Sequence, residues 1–187
     1  MKLWLLRHAR VLVEPGVCYG ASELDADPSA TESAAQEFAA VPGQGCVLWT
    51  SPSTRAQQLA SAIHRRRPDI GTPRAEKRLQ EMDFGEWEMQ AWSGIPRADI
   101  DRWVADFPDH RFGGKESAQE VIDRVAAALS DASTLAVPEM VWVTHAGVIR
   151  AVQFLQAAGK RQRIASAGEW PASVIGMGEW VCIDWRP

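Results

Sequence analysis

Short runs of apolar residues alternate along the chain with longer segments whose apolar residues recur at helical spacing. Residues 3–6, 46–50 and 140–144 are apolar runs of strand length, and they predict three buried strands. Residues 29–40 and 117–132 carry apolar side chains three and four positions apart, which predicts amphipathic helices. The chain therefore changes repeatedly between strand-like and helix-like patterns.

The segments between these elements complete the alternation. A helix is expected to open at Ser51-Pro52, directly after the second strand, and another to follow the third strand and end at Gly159. Residues 173–185 predict a pair of strands that closes the chain. Strand–helix alternation of this kind is typical of an α/β sandwich with a mostly parallel sheet, and we expect a single domain over residues 1–187.

Composition and charge narrow the classes of protein that fit this pattern. The chain has 187 residues, a formal net charge of −4 and no apolar stretch near the roughly 20 residues that a membrane helix needs. The negative charge argues against general nucleic-acid binding, and charged residues follow Leu6 too early for a signal peptide. The three cysteines form no C-x-x-C pair, so neither a disulfide framework nor a zinc site is indicated. We expect a cytoplasmic protein, monomeric or homodimeric, without membrane or nucleic-acid partners.

Basic residues follow each of the three predicted strands. Arg7 and His8 come after the first, Arg55 lies in the first turn of the helix after the second, and His145 follows the third. The carboxyl ends of parallel strands share one edge of the sheet, where ligands bind in open α/β folds. A cation in the first turn of a helix opposes the helix dipole, and a nearby anion would offset that cost. The pattern predicts a pocket for a phosphoryl group.

The residue types in this pocket suit phosphoryl transfer. A neutral histidine can attack phosphorus and form a phosphohistidine, while arginines and a second, protonated histidine would neutralise charge on the equatorial oxygens. The leaving group then needs a proton, and residues 79–92 supply acids among aromatic residues. Glu81 is the first candidate, with Asp83 and Glu86 behind it, because contact with apolar surface would raise the pKa of a carboxyl group and keep it protonated.

Five motifs, in this order and at these intervals, resemble the histidine phosphatase (phosphoglycerate mutase-like) superfamily: LLRHA, SPSTRAQQLA, LQEMDFGEWE, GGKES and VTHAGVIRA. The resemblance implies a three-layer α/β/α fold and phosphoryl transfer without a metal or another cofactor. Carried onto this chain, it implies that His8 is the nucleophile and Glu81 the proton donor. It also implies that Arg7 and Arg55 clamp the phosphate and that His145 is the second histidine of the pocket.

A narrower resemblance lies in PGVCYGASELD, residues 15–25. This stretch is similar to the segment that follows the catalytic histidine in α-ribazole phosphatases, which dephosphorylate a nucleotide-loop intermediate of cobalamin synthesis. The resemblance implies that the substrate is a small phosphorylated molecule, α-ribazole 5′-phosphate. Tyr19, Gly20 and Gly147 are expected to contact it together with the two arginines.

Four positions depart from the usual family pattern. Ala9 replaces a glycine or proline, Arg10 an acidic or polar residue and Met89 a glycine, while Lys115 is an extra residue within GGKES. None of these changes removes a group that the chemistry needs. Arg10 and Met89 are candidates to line the substrate pocket.

Other functions fit parts of the sequence. A broad-specificity small-molecule phosphatase of the same superfamily would use the same residues. A metal-dependent hydrolase would use His8 and His145 as ligands, but carboxylates at close spacing to either histidine are missing. An inactive relative would bind a phosphorylated ligand without turnover, although all five candidate catalytic positions hold usable side chains.

Trp87 and Trp92 follow the candidate acids in the chain, and the sequence is compatible with a place for them either in the core or in the pocket.

Overall fold

The computed structural model describes residues 1–43, 45–159, 162–172 and 175–186. Within these ranges one sheet contains five strands: β1 (Lys2–Arg7), β2 (Val47–Thr50), β3 (Arg74–Ala75), β4 (Glu139–Thr144) and β5 (Trp180–Asp184). Their order across the sheet is β3-β2-β4-β1-β5. The first four strands run parallel, and β5 pairs antiparallel with β1. The mostly parallel sheet that the sequence predicts is confirmed.

Five α-helices lie within the described residues: α1 (Pro28–Ala39), α2 (Thr54–Arg66), α3 (Arg97–Ala105), α4 (Ala118–Thr134) and α5 (Ala146–Ala158). The first begins where the Asp27 side chain accepts a hydrogen bond from Ala30 N at 2.8 Å. The fourth begins at a capping box in which the Ser117 and Glu120 side chains each accept from the other residue's backbone. The predicted helices over residues 29–40 and 117–132 are confirmed to within two residues.

The alternation of side chains along the strands builds two separate cores. Leu6, Val141 and Val143 pack with apolar side chains of α1 and α2 on one face of the sheet. Leu5 and Trp142 point to the other face and pack with α4 and α5. Helices therefore cover both faces, which gives the three-layer α/β/α sandwich.

The strand register aligns the carboxyl ends of three neighbouring strands. Arg7, the last residue of β1, pairs with Thr144, the last residue of β4. Thr50 ends β2 and pairs with Val143 of β4. The residues that follow these strands consequently meet at one edge of the sheet.

Two expectations from the sequence are wrong. The second helix begins at Thr54 instead of Ser51-Pro52, and the Ser53 side chain makes no capping hydrogen bond. The predicted pair of strands over residues 173–185 is a single strand, β5; residues 173–174 lie outside the described residues. Gly178 has φ +83 and interrupts an extended path, and its N–H donates to the carbonyls of Arg7 at 3.1 Å and His8 at 3.0 Å.

Candidate active site

The predicted basic residues meet at the sheet edge described above. Arg7 ends β1 and His8 follows it, while Arg55 lies in the first turn of α2. His145 is the N-cap residue of α5, directly after β4. The His8 and His145 rings lie with centroids 5.1 Å apart, although 137 positions separate them in the chain. The structure therefore brings these four residues together.

His8 is held as a neutral imidazole with one defined free nitrogen. Its Nδ1 lies 2.8 Å from the carbonyl oxygen of Ala9. A carbonyl oxygen can only accept, so Nδ1 carries the hydrogen and Nε2 keeps its lone pair. Burial, together with Arg55 and Arg7, lowers the pKa of His8 to about 3, against the opposing effect of the Ala9 hydrogen bond. A neutral histidine with a free lone pair at neutral pH is a competent nucleophile.

His145 is fully buried and has the opposite tautomer. Its Nδ1 lies 3.4 Å from Arg55 Nη2, which can only donate, so Nδ1 accepts and Nε2 carries the hydrogen. Nε2 lies 2.8 Å from Ser51 Oγ and 3.2 Å from Ser53 Oγ. Burial lowers the pKa of His145 well below its usual value, and the permanent charges of Arg55, Arg124 and Arg7 act in the same direction. The expectation of a protonated second histidine is therefore wrong for the protein alone.

The Arg55 guanidinium is fully buried and is oriented by backbone carbonyls. Nη1 donates to Ser22 O at 2.7 Å and Nη2 donates to Gly20 O at 2.6 Å. The guanidinium carbon also lies 5.4 Å from the centre of the Tyr19 ring. Tyr19 and Gly20 thus contact a residue that is expected to bind phosphate, and their own contact with substrate remains a prediction.

Arg7 is half-buried, and its Nη1 donates to the carbonyl oxygen of Ile175 at 3.1 Å. The Nε atoms of both Arg7 and Arg55 are buried and have no hydrogen-bond partner among the described residues. Buried donors of this kind cost free energy unless an acceptor satisfies them. An anion bound between the two guanidiniums would supply such an acceptor.

Glu81 lies at the amino-terminal end of α5, where it contacts Gly147, two residues beyond His145. Its Oε2 accepts from Gly147 N at 3.0 Å, and its Oε1 accepts from Met82 N at 3.0 Å. A Cβ atom at position 147 would lie 2.2 Å from Oε1, so only glycine leaves room for the carboxylate. Gly147 thus positions Glu81. This steric role of the glycine could not be inferred from the sequence. The contacts of Glu81 with backbone N–H groups also differ from the apolar setting that the sequence suggested.

The two other candidate acids have different surroundings. The Asp83 carboxylate accepts from Gly85 N at 2.8 Å and thereby supports the local turn. Glu86 is exposed to solvent. Asp83 and Glu86 therefore have no described contact with α5, whereas Glu81 contacts Gly147 of that helix. The structure favours Glu81 as the acid of the site.

Two cavities flank these residues. The first, of about 800 Å³, is lined by Tyr19, by the charged residues Arg10, Glu14 and Asp27, and by a majority of apolar side chains: Val11, Leu12, Val13, Pro15, Val17 and Met177. The second, of about 400 Å³, is lined by Glu81 and charged residues, among them Lys77, Lys115 and Arg124. A mostly apolar surface therefore lies beside Tyr19 and a charged surface beside Glu81.

The structure also places the unusual residues of the sequence. Arg10 lines the cavity beside Tyr19, and its guanidinium pairs with Asp27 at 2.7 Å; its contact with substrate remains a prediction. Met89 lies outside the residues that line either cavity; it is 49% exposed and adopts φ +64, the left-handed conformation that favours glycine. Trp87 and Trp92 both pack against Phe112, with ring centroids 6.0 Å away in each case. They therefore belong to an aromatic cluster.

Three residues near the site were missed by sequence reasoning. Ser51 and Ser53 hold His145, and their serine-x-serine spacing ahead of Arg55 was interpreted only as the start of a helix. Arg150 lies one turn beyond Gly147 on α5, and its Nε is buried without a partner among the described residues. Burial and the charge of Arg7 lower the Arg150 pKa, while Glu81 raises it, which places this third cation near both groups.

A family model confirms the resemblance that the sequence motifs carry. The model of the histidine phosphatase superfamily (branch 1) matches residues 3–164. The chain belongs to this superfamily. Its members act on small phosphorylated molecules, and the protein is a phosphatase of this class.

Individual relatives agree with this membership. A protein of Hydrogenobacter thermophilus named "Putative phosphoserine phosphatase 2" is 29% identical over 159 residues, which cover 81% of this chain and 76% of the relative. The α-ribazole phosphatase of Shigella flexneri shares the fold with a TM-score of 0.80 at 22% identity, over 100% of this chain and 91% of that structure. A phosphoglycerate mutase of Thermus thermophilus has a TM-score of 0.71 at 26% identity, over 99% of this chain and 94% of that structure.

Two further observations concern the described part of the chain only. No helix there has both the length and the apolar character that crossing a membrane requires. No group of three or more histidine, cysteine, aspartate or glutamate side chains is placed there to hold a metal ion.

Proposed function

We propose that this protein is a phosphomonoesterase that works through a phosphohistidine on His8 without a metal ion. The observation that carries the proposal is the free Nε2 lone pair of His8, which lies among Arg7, Arg55 and His145. The attacking group and the groups that bind the phosphate are thus collected in one buried pocket. Such preorganisation lowers the barrier to phosphoryl transfer.

In the first step, the lone pair of His8 Nε2 attacks phosphorus and forms a P–N bond while the P–O bond to the leaving group breaks. Glu81 donates its carboxyl proton to the departing oxygen, which leaves as an alcohol. The His8 ring becomes positively charged, and its Nδ1–H remains bonded to the Ala9 carbonyl oxygen at 2.8 Å. That hydrogen bond stabilises the intermediate.

In the second step, a water molecule attacks phosphorus and transfers a proton to the Glu81 carboxylate. The P–N bond breaks, its electron pair returns to His8 Nε2, and inorganic phosphate leaves. Arg7 and Arg55 donate to the equatorial oxygens in both steps, with the buried Nε atoms as their available donors. His145 supports Arg55 through its 3.4 Å contact.

We further propose that the substrate is α-ribazole 5′-phosphate. The apolar cavity beside Tyr19 supports this assignment, because it offers about 800 Å³ next to the phosphate pocket. A fused aromatic base fits such a surface better than a small charged leaving group does. The resemblance of residues 15–25 to α-ribazole phosphatases points the same way. The proposal assigns the protein to cobalamin synthesis in the cytoplasm.

The test is phosphate release in excess chelator from four substrates: α-ribazole 5′-phosphate, p-nitrophenyl phosphate, 3-phosphoglycerate and L-phosphoserine. The proposal predicts the highest kcat/KM for α-ribazole 5′-phosphate and no effect of the chelator. Turnover of p-nitrophenyl phosphate alone would retain the phosphohistidine chemistry and remove the cobalamin assignment. A preference for L-phosphoserine would favour the activity named in the Hydrogenobacter relative. Binding without turnover would identify an inactive relative.

A further inference from the structure

We infer that Glu88 is a positioning residue that sets the phosphate-binding orientation of Arg55 through the backbone of residues 20–22. The inference rests on the proposed function, because it takes Arg55 to be a phosphate ligand. The connection between the two side chains is indirect and runs through peptide groups that lie between them.

The Glu88 carboxylate accepts hydrogen bonds from every residue of the loop 20–22. Its Oε2 accepts from Gly20 N at 3.0 Å, Ser22 N at 3.1 Å and Ser22 Oγ at 2.5 Å. Its Oε1 accepts from Ala21 N at 3.0 Å and Phe84 N at 2.9 Å. The carboxylate therefore fixes three consecutive N–H groups of the loop and ties them to the segment that contains Phe84.

The other side of the same loop faces Arg55. The peptide group between Gly20 and Ala21 directs its N–H to Glu88 and its carbonyl to Arg55 Nη2 at 2.6 Å. Because a peptide group is planar, fixing its N–H toward the carboxylate also fixes the direction of its carbonyl oxygen. The Ser22 carbonyl adds a second acceptor, for Arg55 Nη1 at 2.7 Å. Glu88 thereby determines where the Gly20 acceptor of the guanidinium points, and it anchors Ser22, which carries the second acceptor, through that residue's N–H and hydroxyl.

The loop has little freedom to adopt another path. A Cβ atom at position 20 would lie 1.8 Å from the carbonyl oxygen of Met82 and 3.1 Å from Glu88 Oε1. Only glycine permits this close approach of the two backbones. The requirement for Gly20 is consequently steric, and it keeps the loop in contact with Glu88.

The indirect connection also leaves the charge of Arg55 available. Arg55 forms no ion pair with a carboxylate of the described residues, whereas a carboxylate in direct contact would compete with the phosphate. Burial tends to raise the Glu88 pKa, but the hydrogen bonds from Ser22, Gly20, Phe84 and Ala21 lower it below its usual value. Glu88 is thus an anion at neutral pH and orients the loop without neutralising the guanidinium.

The experiment compares Glu88→Gln with the wild type and with Glu37→Gln. Glu37 is an exposed residue of α1 whose carboxylate also accepts from a serine, Ser33, at 3.1 Å. Glutamine replaces one accepting oxygen of Glu88 with an NH₂ donor, so at least two of the five hydrogen bonds are lost. We expect the inhibition constants of orthovanadate and inorganic phosphate to rise by about tenfold or more in Glu88→Gln and to stay unchanged in Glu37→Gln.

A double-mutant cycle separates positioning from a general loss of stability. If Glu88 acts through Arg55, adding Glu88→Gln to Arg55→Ala causes no further rise in the vanadate inhibition constant. Additive losses, or an unchanged inhibition constant in Glu88→Gln, would overturn the inference. If Glu88→Gln does not fold, Ser22→Ala carries the same cycle, because it removes only the hydroxyl donor to Glu88. Failure of the wild type itself to bind vanadate would instead contradict the proposed function.

Discussion

His8 and His145 face each other with ring centroids 5.1 Å apart, and their hydrogen bonds give them opposite tautomers. The Ala9 carbonyl places a hydrogen on Nδ1 of His8, whereas the Arg55 guanidinium requires a lone pair on Nδ1 of His145. Both rings are buried and lie near cations, so the pKa of each is lowered. The two histidines therefore have different roles: His8 keeps a free lone pair for attack on phosphorus, and His145 accepts a hydrogen bond from Arg55.

The two buried histidines predict a specific dependence of stability on pH. The unfolded chain binds a proton at each histidine below a pKa of about 6.5, while folded His8 does so only near pKa 3. The unfolded state therefore holds more protons between these values, and the free energy of unfolding falls as the pH drops below about 6.5. Each histidine contributes a slope of up to about 1.4 kcal/mol per pH unit.

Urea unfolding between about pH 5 and pH 7 measures this slope. We expect His8→Gln to remove the contribution of one histidine, so that the slope falls by up to about 1.4 kcal/mol per pH unit relative to the wild type. An unchanged slope in this variant would show that His8 is protonated in the folded protein, against its burial beside Arg7 and Arg55.

Replacement of the proposed nucleophile should abolish turnover without unfolding the protein. His8→Ala is expected to lower kcat by about 10⁴-fold or more, because a covalent step is lost. The acid-labile, alkali-stable label that radioactive substrate leaves on the wild type should also disappear. His110→Ala is the matched control, since it removes a histidine from the loop after α3. Retained turnover in His8→Ala would exclude the phosphohistidine mechanism.

The proposed acid can be identified by the leaving group. Glu81→Gln should reduce kcat/KM, which reports the phosphorylation step, by about 10²-fold or more for an alkyl phosphate and much less for p-nitrophenyl phosphate, because p-nitrophenolate needs little protonation. Steady-state kinetics with both substrates measures the difference. Asp83→Asn and Glu86→Gln should not show this split between substrates. Equal losses for both substrates in Glu81→Gln would point to another acid.

Gly147 provides an independent check on the position of Glu81. Because a Cβ at this position would lie 2.2 Å from Glu81 Oε1, Gly147→Ala should displace the carboxylate and reproduce the same dependence on the leaving group. Gly168→Ala serves as control, since its Cβ would meet only Ser166 Oγ at 3.6 Å.

The convergence of Arg7, Arg55 and His145 could be predicted from the sequence because it depends only on where the strands lie and on their parallel direction. Apolar runs reveal the strands, and parallel strands in one sheet must end at one edge. No side-chain detail is needed for this step. The order of the strands, β2-β4-β1, then places the three basic segments side by side.

The contacts that orient these residues could not be predicted in the same way. Ser51 meets His145 across 94 positions of sequence, through the register of β2 against β4. The neutral state of His145 follows from its complete burial, which a residue pattern does not show. Glu88 acts through backbone groups, whose directions depend on the folded loop. Sequence reasoning therefore identified the basic residues at the strand ends but not the contacts that orient them.

Met89 offers a test that concerns stability alone. Its φ of +64 lies in the left-handed region, where a side chain costs about 1–2 kcal/mol relative to glycine. Glycine loses more backbone entropy on folding, about 0.5–1 kcal/mol, so Met89→Gly should raise the free energy of unfolding by up to about 1 kcal/mol. Urea unfolding measures the change. Leu12→Gly is the matched control, because Leu12 is an exposed apolar residue without positive φ, and it should destabilise the protein. A loss of stability in Met89→Gly would mean that the methionine side chain contributes more through contacts than its backbone conformation costs.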